Sequence, residues 1–302
     1  MPFLLPLNHD PVSVTLNSAN RRQLVPGDCQ DGVQRRDRHL HQTHRNLSCP
    51  QLTPMTLGAA PMHSASTHCD LSRLRFELGR PVLFGHRGMP GDRIENRIAA
   101  FREALTRGAD GIECDLQLTA DGVPVVVHDS DLMRVTGTPG MVRTSTAAQL
   151  RDLGLPCLED LLQELPPPAL LNLEIKEMRL ASSGLEAAVV DSVARYGAQS
   201  RVVYSSFSPF AIARLRQLDP RCHAGLLIAP GMRHGQWAAR FAGATAIHVH
   251  ATQVNEATIT AWRRCDYRIV VWGDRDQHQL ARLRGMDIDA IITDHLLAGP
   301  TP

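Results

Sequence analysis

His86 and Arg87 end the apolar run Val82-Leu83-Phe84-Gly85 with a base and a permanent cation. Glu113 and Asp115 end a second such run, His128-Asp129 ends a third, and Leu170 to Ile175 delivers Glu174 and then Lys176. Acids, bases and cations at the ends of apolar runs suit a metal-assisted attack on a phosphate ester. Few binding modules would collect such a set.

Strand parity sorts these residues. Glu113 and Asp115 are two apart and share a face, while Cys114 points away between them. The same parity puts Glu174 and Lys176 on one face. Three carboxylates at one place repel unless a cation neutralises them, and oxygen-only ligands select a hard ion, Mg²⁺ or Ca²⁺, over zinc. The bland alternative for Glu113 and Asp115 is an exposed polar edge. It fits poorly beside Gly111, Ile112, Leu116 and Leu118, because burying an unpaired carboxylate is expensive. A lone strand-end histidine is more often a hydrogen-bonded core residue. Two of them, His86 and His128, converging with acids and cations can supply a general base and a general acid. Arg87 can fork onto two phosphate oxygens. Lys176 either adds a point charge to the same anion or is a solvated lysine beyond a strand end.

The elements that must position these groups alternate from Pro81 onward. Short apolar runs predict strands at 82–86, 111–118, 123–128, 170–175, 202–206, 224–228, 246–249, 269–272 and 290–293. Between them, 95–106, 185–196, 210–218, 257–264 and 277–284 predict helices. Such alternation implies parallel pairing with right-handed crossovers. One link differs: Thr119-Ala120-Asp121-Gly122 is too short for a crossover helix, and Asp-Gly is a hairpin signal. The 123–128 strand should therefore fold back, which leaves eight parallel strands and a (β/α)₈ TIM barrel with a short hairpin and insertion after its second strand. Active sites of such barrels sit where the strand C-termini converge. An open doubly wound sheet is the alternative, though no G-x-G-x-x-G follows the first strand.

Composition agrees with a soluble globule: of 302 residues, 43% are hydrophobic and 21% charged. A net charge of +1 excludes a global field that would draw the protein onto nucleic acid or anionic membrane. Aromatics are only 4%, which argues against stacking platforms for bases or sugars. The seven cysteines are scattered, odd in number and free of C-x-x-C pairs, so reduced thiols in a cytoplasmic protein are expected. No apolar run spans a membrane, and Phe3–Leu7 is too short for a signal-peptide core and lacks basic residues before it.

Residues 1–79 read differently. Arg21, Arg22, Arg35, Arg36, Arg38 and Arg45 are strung among prolines, histidines and serines with no apolar period, so this stretch is expected to be disordered. Cys29, His39, His41, His44 and Cys49 fit no standard zinc spacing and read as a solvated polar tail. A translation start downstream, for example at Met55 or Met62, is a further reading of this stretch.

The residues from His86 onward resemble the glycerophosphodiester phosphodiesterases. The resemblance rests on His86-Arg87-Gly88, Glu95-Asn96, Gly108-Ala109-Asp110-Gly111-Ile112-Glu113-Cys114-Asp115, Thr119-Ala120-Asp121-Gly122, Pro124-Val125-Val126-Val127-His128-Asp129 and Leu173-Glu174-Ile175-Lys176. Ser205-Ser206-Phe207, Val271-Trp272 and Asp289 to Asp294 follow in the same order. It implies that residues 80–302 form a TIM barrel that hydrolyses glycerophosphodiesters to glycerol 3-phosphate and an alcohol. It further implies that His86 and His128 are the acid–base pair, that Glu113, Asp115 and Glu174 hold the divalent ion, and that Arg87 grips phosphate. Lys176 and Trp272 would line the substrate pocket.

The chain departs from the family pattern at Arg97, where threonine usually follows Glu-Asn, in the compact stretch from Ser130 to Leu165, and at Gly273-Asp274 after Trp272. Within that stretch Thr146 and Gln149 predict a capping-box helix start. Three rivals remain. A glycosidase using Glu113 and Glu174 would need neither histidine nor Arg87. The same fold could cleave lysophospholipid or sphingolipid diesters. A barrel that binds phosphorylated ligands without turnover would be expected to lack one of these groups, and none is missing.

Overall fold

The computed structural model describes residues 67–88, 95–232 and 235–296. The expectations for the arginine-rich stretch and its Cys/His cluster fall outside these residues. The last part of the stretch expected to be disordered is corrected: Leu71–Leu78 is a helix, α1. Asp70 caps it by accepting from the Ser72 and Arg73 N–H groups, and Gly79 ends it in the left-handed region at φ 66°. Periodicity missed it because α1 buries only Leu71 completely, and that leucine packs with Val82, Phe84, Val203 and Val270. One deep contact outweighs a polar composition.

The nine strands are β1 (Val82–Gly85), β2 (Gly111–Leu118), β3 (Pro124–Val126), β4 (Leu170–Ile175), β5 (Val202–Ser206), β6 (His223–Ile228), β7 (Ala246–His250), β8 (Arg268–Trp272) and β9 (Ala290–Thr293). Their order is β1-β9-β8-β7-β6-β5-β4-β2-β3, with β1 also paired to β2. That extra pairing, Phe84 to Gly111 and Gly85 to Ile112, closes the sheet and excludes the doubly wound alternative. β3 alone is antiparallel, with Leu116 opposite Val126 and Leu118 opposite Pro124 across the Thr119–Gly122 turn. The molecule is a (β/α)₈ barrel with a hairpin after its second strand.

Strand alternation divides the core. Val82, Phe84, Leu170, Val203, Val270, Ala290 and Ile292 form a cluster of their own inside the barrel, reached by Leu71 and Cys69. The alternate positions, including Ile112, Cys114, Leu171, Leu173, Ile247 and Ile269, face the surrounding helices. These helices are α2 (Ile98–Thr106), α3 (Met133–Thr136), α4 (Ala147–Asp152), α5 (Leu158–Glu164), α6 (Leu185–Arg195), α7 (Pro209–Leu218), α8 (Gly235–Phe241), α9 (Glu256–Arg263) and α10 (Gln277–Arg284). Helices α3 to α5 occupy the insertion, and α4 carries the predicted capping box of Thr146 with Gln149. Helix α2 starts at Ile98 rather than 95, because Asn96 adopts a left-handed φ of 56°. Its N-cap position is held by Arg97, which makes no side-chain cap hydrogen bond. Among the described residues no helix is long and apolar enough to cross a membrane.

Candidate active site

The first strand ends in a turn that two neighbours hold tight. Gly88 N–H donates to the Gly85 carbonyl at 3.2 Å, and Arg87 sits at a φ of 49°, unusual for a non-glycine residue. A Cβ on Gly88 would lie 2.7 Å from the Ala100 carbonyl carbon, so α2 presses directly on the turn. His86 and Arg87 are thereby projected over the C-terminal mouth. The Arg87 N–H donates to Glu113 Oε2 at 2.9 Å, which ties the turn to β2.

Glu113, Asp115 and Glu174 are buried, and each offers an oxygen within 4.8 Å of the others. The parity expected for β2 holds: Cys114 lies in the outer core. The parallel register sets Asp115 beside Glu174. Burial and the Asp115 charge push Glu113 up to about 8, against the pull of His86. Burial and Asp115 also raise Glu174, despite Lys176. Burial would raise Asp115 as well, but Lys176 and Arg87 hold it below the usual carboxylate range. Lys176 Nζ lies 3.0 Å from Asp115 Oδ1 and 2.6 Å from Glu174 Oε1. An all-oxygen, buried, mutually repelling donor set is compatible with a hard divalent cation.

The histidines share one device. His86 Nδ1 lies 2.9 Å from Asp294 Oδ1, and His128 Nδ1 lies 2.7 Å from Asp129 Oδ1. A carboxylate only accepts, so each Nδ1 carries the donated proton and each Nε2 is left for chemistry. His86 Nε2 is 3.9 Å from Glu113 Oε2. Burial disfavours the His86 imidazolium, but Asp294 and Glu113 raise this ring to about 9.

A cavity of about 260 Å³ gathers the predicted residues. His86, Arg87, Glu113, His128, Glu174, Lys176 and Trp272 line it, while Asp115 lies behind, only 1% exposed. Phe207, Leu227, Trp272 and Ile292 make one wall apolar. Trp272 is locked edge-on against Phe207 and His250, and its Nε1–H donates to the His248 carbonyl at 3.1 Å. Arg87 Nε is 3.3 Å from Asp115 Oδ2 without hydrogen-bond geometry, which leaves a buried donor for an anion.

Sequence reasoning gave no role to the residues that hold these groups. Asn96 is 1% exposed and donates from Nδ2 to Asp115 Oδ2 at 2.9 Å. Its signal was the tolerance of asparagine for left-handed backbone just before a helix. Asp294 follows β9 as His86 follows β1, and these strands are paired, so the strand-end rule could have found it. Glu95 accepts from Arg87 Nη1, a contact for which the sequence offered no signal beyond the Glu-Asn motif.

Barrel and mouth together define a class, the barrel enzymes that hydrolyse phosphoric diesters. The model of the Glycerophosphoryl diester phosphodiesterase family matches residues 86–298, and the chain belongs to that family. It is 28% identical over 229 residues to the glycerophosphodiester phosphodiesterase of Caldanaerobacter subterraneus subsp. tengcongensis, covering 71% of this chain and 94% of that protein. Among solved structures it is similar to the Thermotoga maritima glycerophosphodiester phosphodiesterase at 25% identity and a TM-score of 0.59, over 71% of this chain and 94% of that one. It is likewise similar, at 24% identity and a TM-score of 0.63 over 72% and 94%, to an Oleispira antarctica phosphodiesterase in complex with the product sn-glycerol-3-phosphate.

Proposed function

We propose that this protein is a divalent-metal-dependent hydrolase of glycerophosphodiesters, releasing glycerol 3-phosphate and an alcohol, with His86 and His128 as its acid–base pair. One observation carries the reading: Glu113, Asp115 and Glu174 each offer a buried oxygen within 4.8 Å of the others, and Glu113 and Glu174 line a cavity with two histidines whose Nδ1 atoms are both committed to aspartates. The sn-glycerol-3-phosphate bound by the Oleispira antarctica phosphodiesterase supports the same product here.

Glu113, Asp115 and Glu174 would hold Mg²⁺ or Ca²⁺, which supplies Lewis-acid stabilisation of charge on the phosphoryl oxygens. Arg87 presents its free Nε to the same oxygens and Lys176 adds a point charge. One histidine takes the proton from the attacking hydroxyl, of water or of the glycerol moiety, through its Nε2. The other gives its Nε2 proton to the leaving alkoxide. Trp272 and Phe207 wall the cavity and exclude water on that side. The five unpaired thiols of the described residues fit a reducing, cytoplasmic setting.

A second reading keeps the chemistry and changes the alcohol. An adjoining groove of about 770 Å³ shares Lys176 with the cavity and runs beside Leu118, Met178 and Leu185. Met178 is 67% exposed there, which favours a lysophospholipid as alternative substrate. The deciding assay compares glycerophosphocholine, glycerophosphoethanolamine and lysophosphatidylcholine, with and without EDTA, for wild type and His86→Ala. Chelation and the substitution should each reduce turnover by at least about 100-fold without loss of the folded circular dichroism signal. Equal rates in all samples would refute the mechanism.

A further inference from the structure

Arg134 touches both sides of the site without lining the cavity. Its Nε donates to Asp129 Oδ2, and its Nη2 donates to Glu95 Oε1 at 2.7 Å. Asp129 is the carboxylate on His128 Nδ1 at 2.7 Å, and Glu95 accepts from Arg87 Nη1 at 3.1 and 3.3 Å. An unbroken chain therefore runs His128, Asp129, Arg134, Glu95, Arg87. It joins the segment after β3, the insertion helix α3, the segment before α2 and the turn after β1.

We propose that Arg134 is a positioning residue that fixes the His128 ring and the Arg87 guanidinium relative to each other, an inference that rests on the phosphodiesterase reading above. The base and the anion grip must flank one phosphorus, and small misplacement of either is expensive in rate. Arginine suits the task because its planar fork presents donors in fixed directions to two carboxylates at once. A lysine ammonium is a single point charge on a flexible stem. The anchor is firm, since Val135 and Leu132 flank Arg134 and pack with Val125 and Val127, the segment that leads to His128. Stability alone does not explain the arrangement. The Arg134 side chain is 50% exposed, and ion pairs at such sites contribute little to folding. Its removal should spare the fold and disturb geometry.

The test uses the full chain with its divalent ion and the variants Arg134→Met, Arg134→Lys, Glu95→Gln and Glu95→Gln/Arg134→Met. It measures kcat and KM on glycerophosphocholine, calorimetric affinity for inorganic phosphate, and Tm. Arg134→Met should lower kcat about tenfold and weaken phosphate about fivefold, within the range seen when partners of site residues are removed, with Tm within a few degrees of wild type. Glu95→Gln should raise KM and weaken phosphate in the wild-type background, yet add less than about twofold on top of Arg134→Met. Arg134→Lys should recover only part of either loss. The proposal is overturned if Arg134→Met stays within twofold of wild type in kcat and phosphate affinity. It is also overturned if lysine restores both in full, or if Glu95→Gln has the same effect in both backgrounds. Should the wild type turn over no glycerophosphodiester, the functional reading falls, and the phosphate titrations still decide the role of Arg134.

Discussion

Asn96 concentrates the problem of a buried carboxylate into one residue. Its amide donates to Asp115 Oδ2, its Oδ1 faces the Asp115 N–H at 3.5 Å, and its backbone is left-handed at φ 56°. The first two features orient a proposed metal ligand, and the third restricts which residues can stand there. Substitutions separate the two roles. Asn96→Gly removes the amide and relaxes the left-handed backbone, whereas Asn96→Ala removes the amide and keeps a Cβ there without the polar side chain by which asparagine tolerates that region, a strain worth about 1–2 kcal/mol. Both variants should bind Mg²⁺ or Ca²⁺ about 10- to 100-fold more weakly by calorimetry, as expected when a ligand loses its orienting partner. Both lose the buried hydrogen bond to Asp115, and the alanine should lose more stability than the glycine in urea melts. Wild-type metal affinity in Asn96→Gly would remove Asn96 from the site's machinery.

At the level of elements, the decisive contact is between the turn after β1 and helix α2. Gly88, at φ 85°, has backbone atoms of Ala100 where a Cβ would go, while Gly122 in the β2–β3 hairpin, at φ 78°, has open space there. Gly122→Ala should therefore carry only the left-handed penalty of about 1–2 kcal/mol, and Gly88→Ala that penalty plus an overpacking term of about 1–3 kcal/mol. Urea denaturation of the two variants checks this, and equal losses would mean that α2 does not press on the turn. The two glycines also show what could be read in advance. The Asp121-Gly122 signal placed the hairpin because the turn is local. Period-two alternation placed the acids because it fixes faces, although Glu113 and Asp115 lie within β2 and not at its end, and the strand ends placed the histidines. The contact of Arg134 with Glu95, far along the chain, could not be read, since side-chain reach across folded segments leaves no local pattern. Helix α1 escaped for a related reason: its stability comes from Leu71 meeting β1, β5 and β8, not from its own periodicity.

For the whole molecule, closure of the barrel has an acid-stability consequence at two buried histidines of its sheet. His223 on β6 and His248 on β7 are 6% and 0% exposed, and both His248 ring nitrogens and His223 Nε2 lack hydrogen-bond partners. Burial, with help from Arg268, pushes His223 down to about 4, and burial with the neighbouring His223 pushes His248 down to about 3. Both are neutral in the fold and take up protons only when the chain opens. Their contribution is thus complete above the ordinary imidazole value of about 6.5 and is lost as pH falls towards the depressed values. The slope is about 1.4 kcal/mol per pH unit for each histidine, so each should remove about 2 kcal/mol between pH 7.5 and pH 5. His248→Leu deletes one of these titrations without breaking any hydrogen bond of the ring. Its unfolding free energy should fall by about 2 kcal/mol less than that of wild type over the same interval, measured by urea denaturation at both pH values. Carboxylates that titrate in this range contribute equally to both proteins and cancel in the difference. An identical acid loss in the two proteins would place His248 in contact with water or with a charge, and the sealed barrel interior would have to be abandoned.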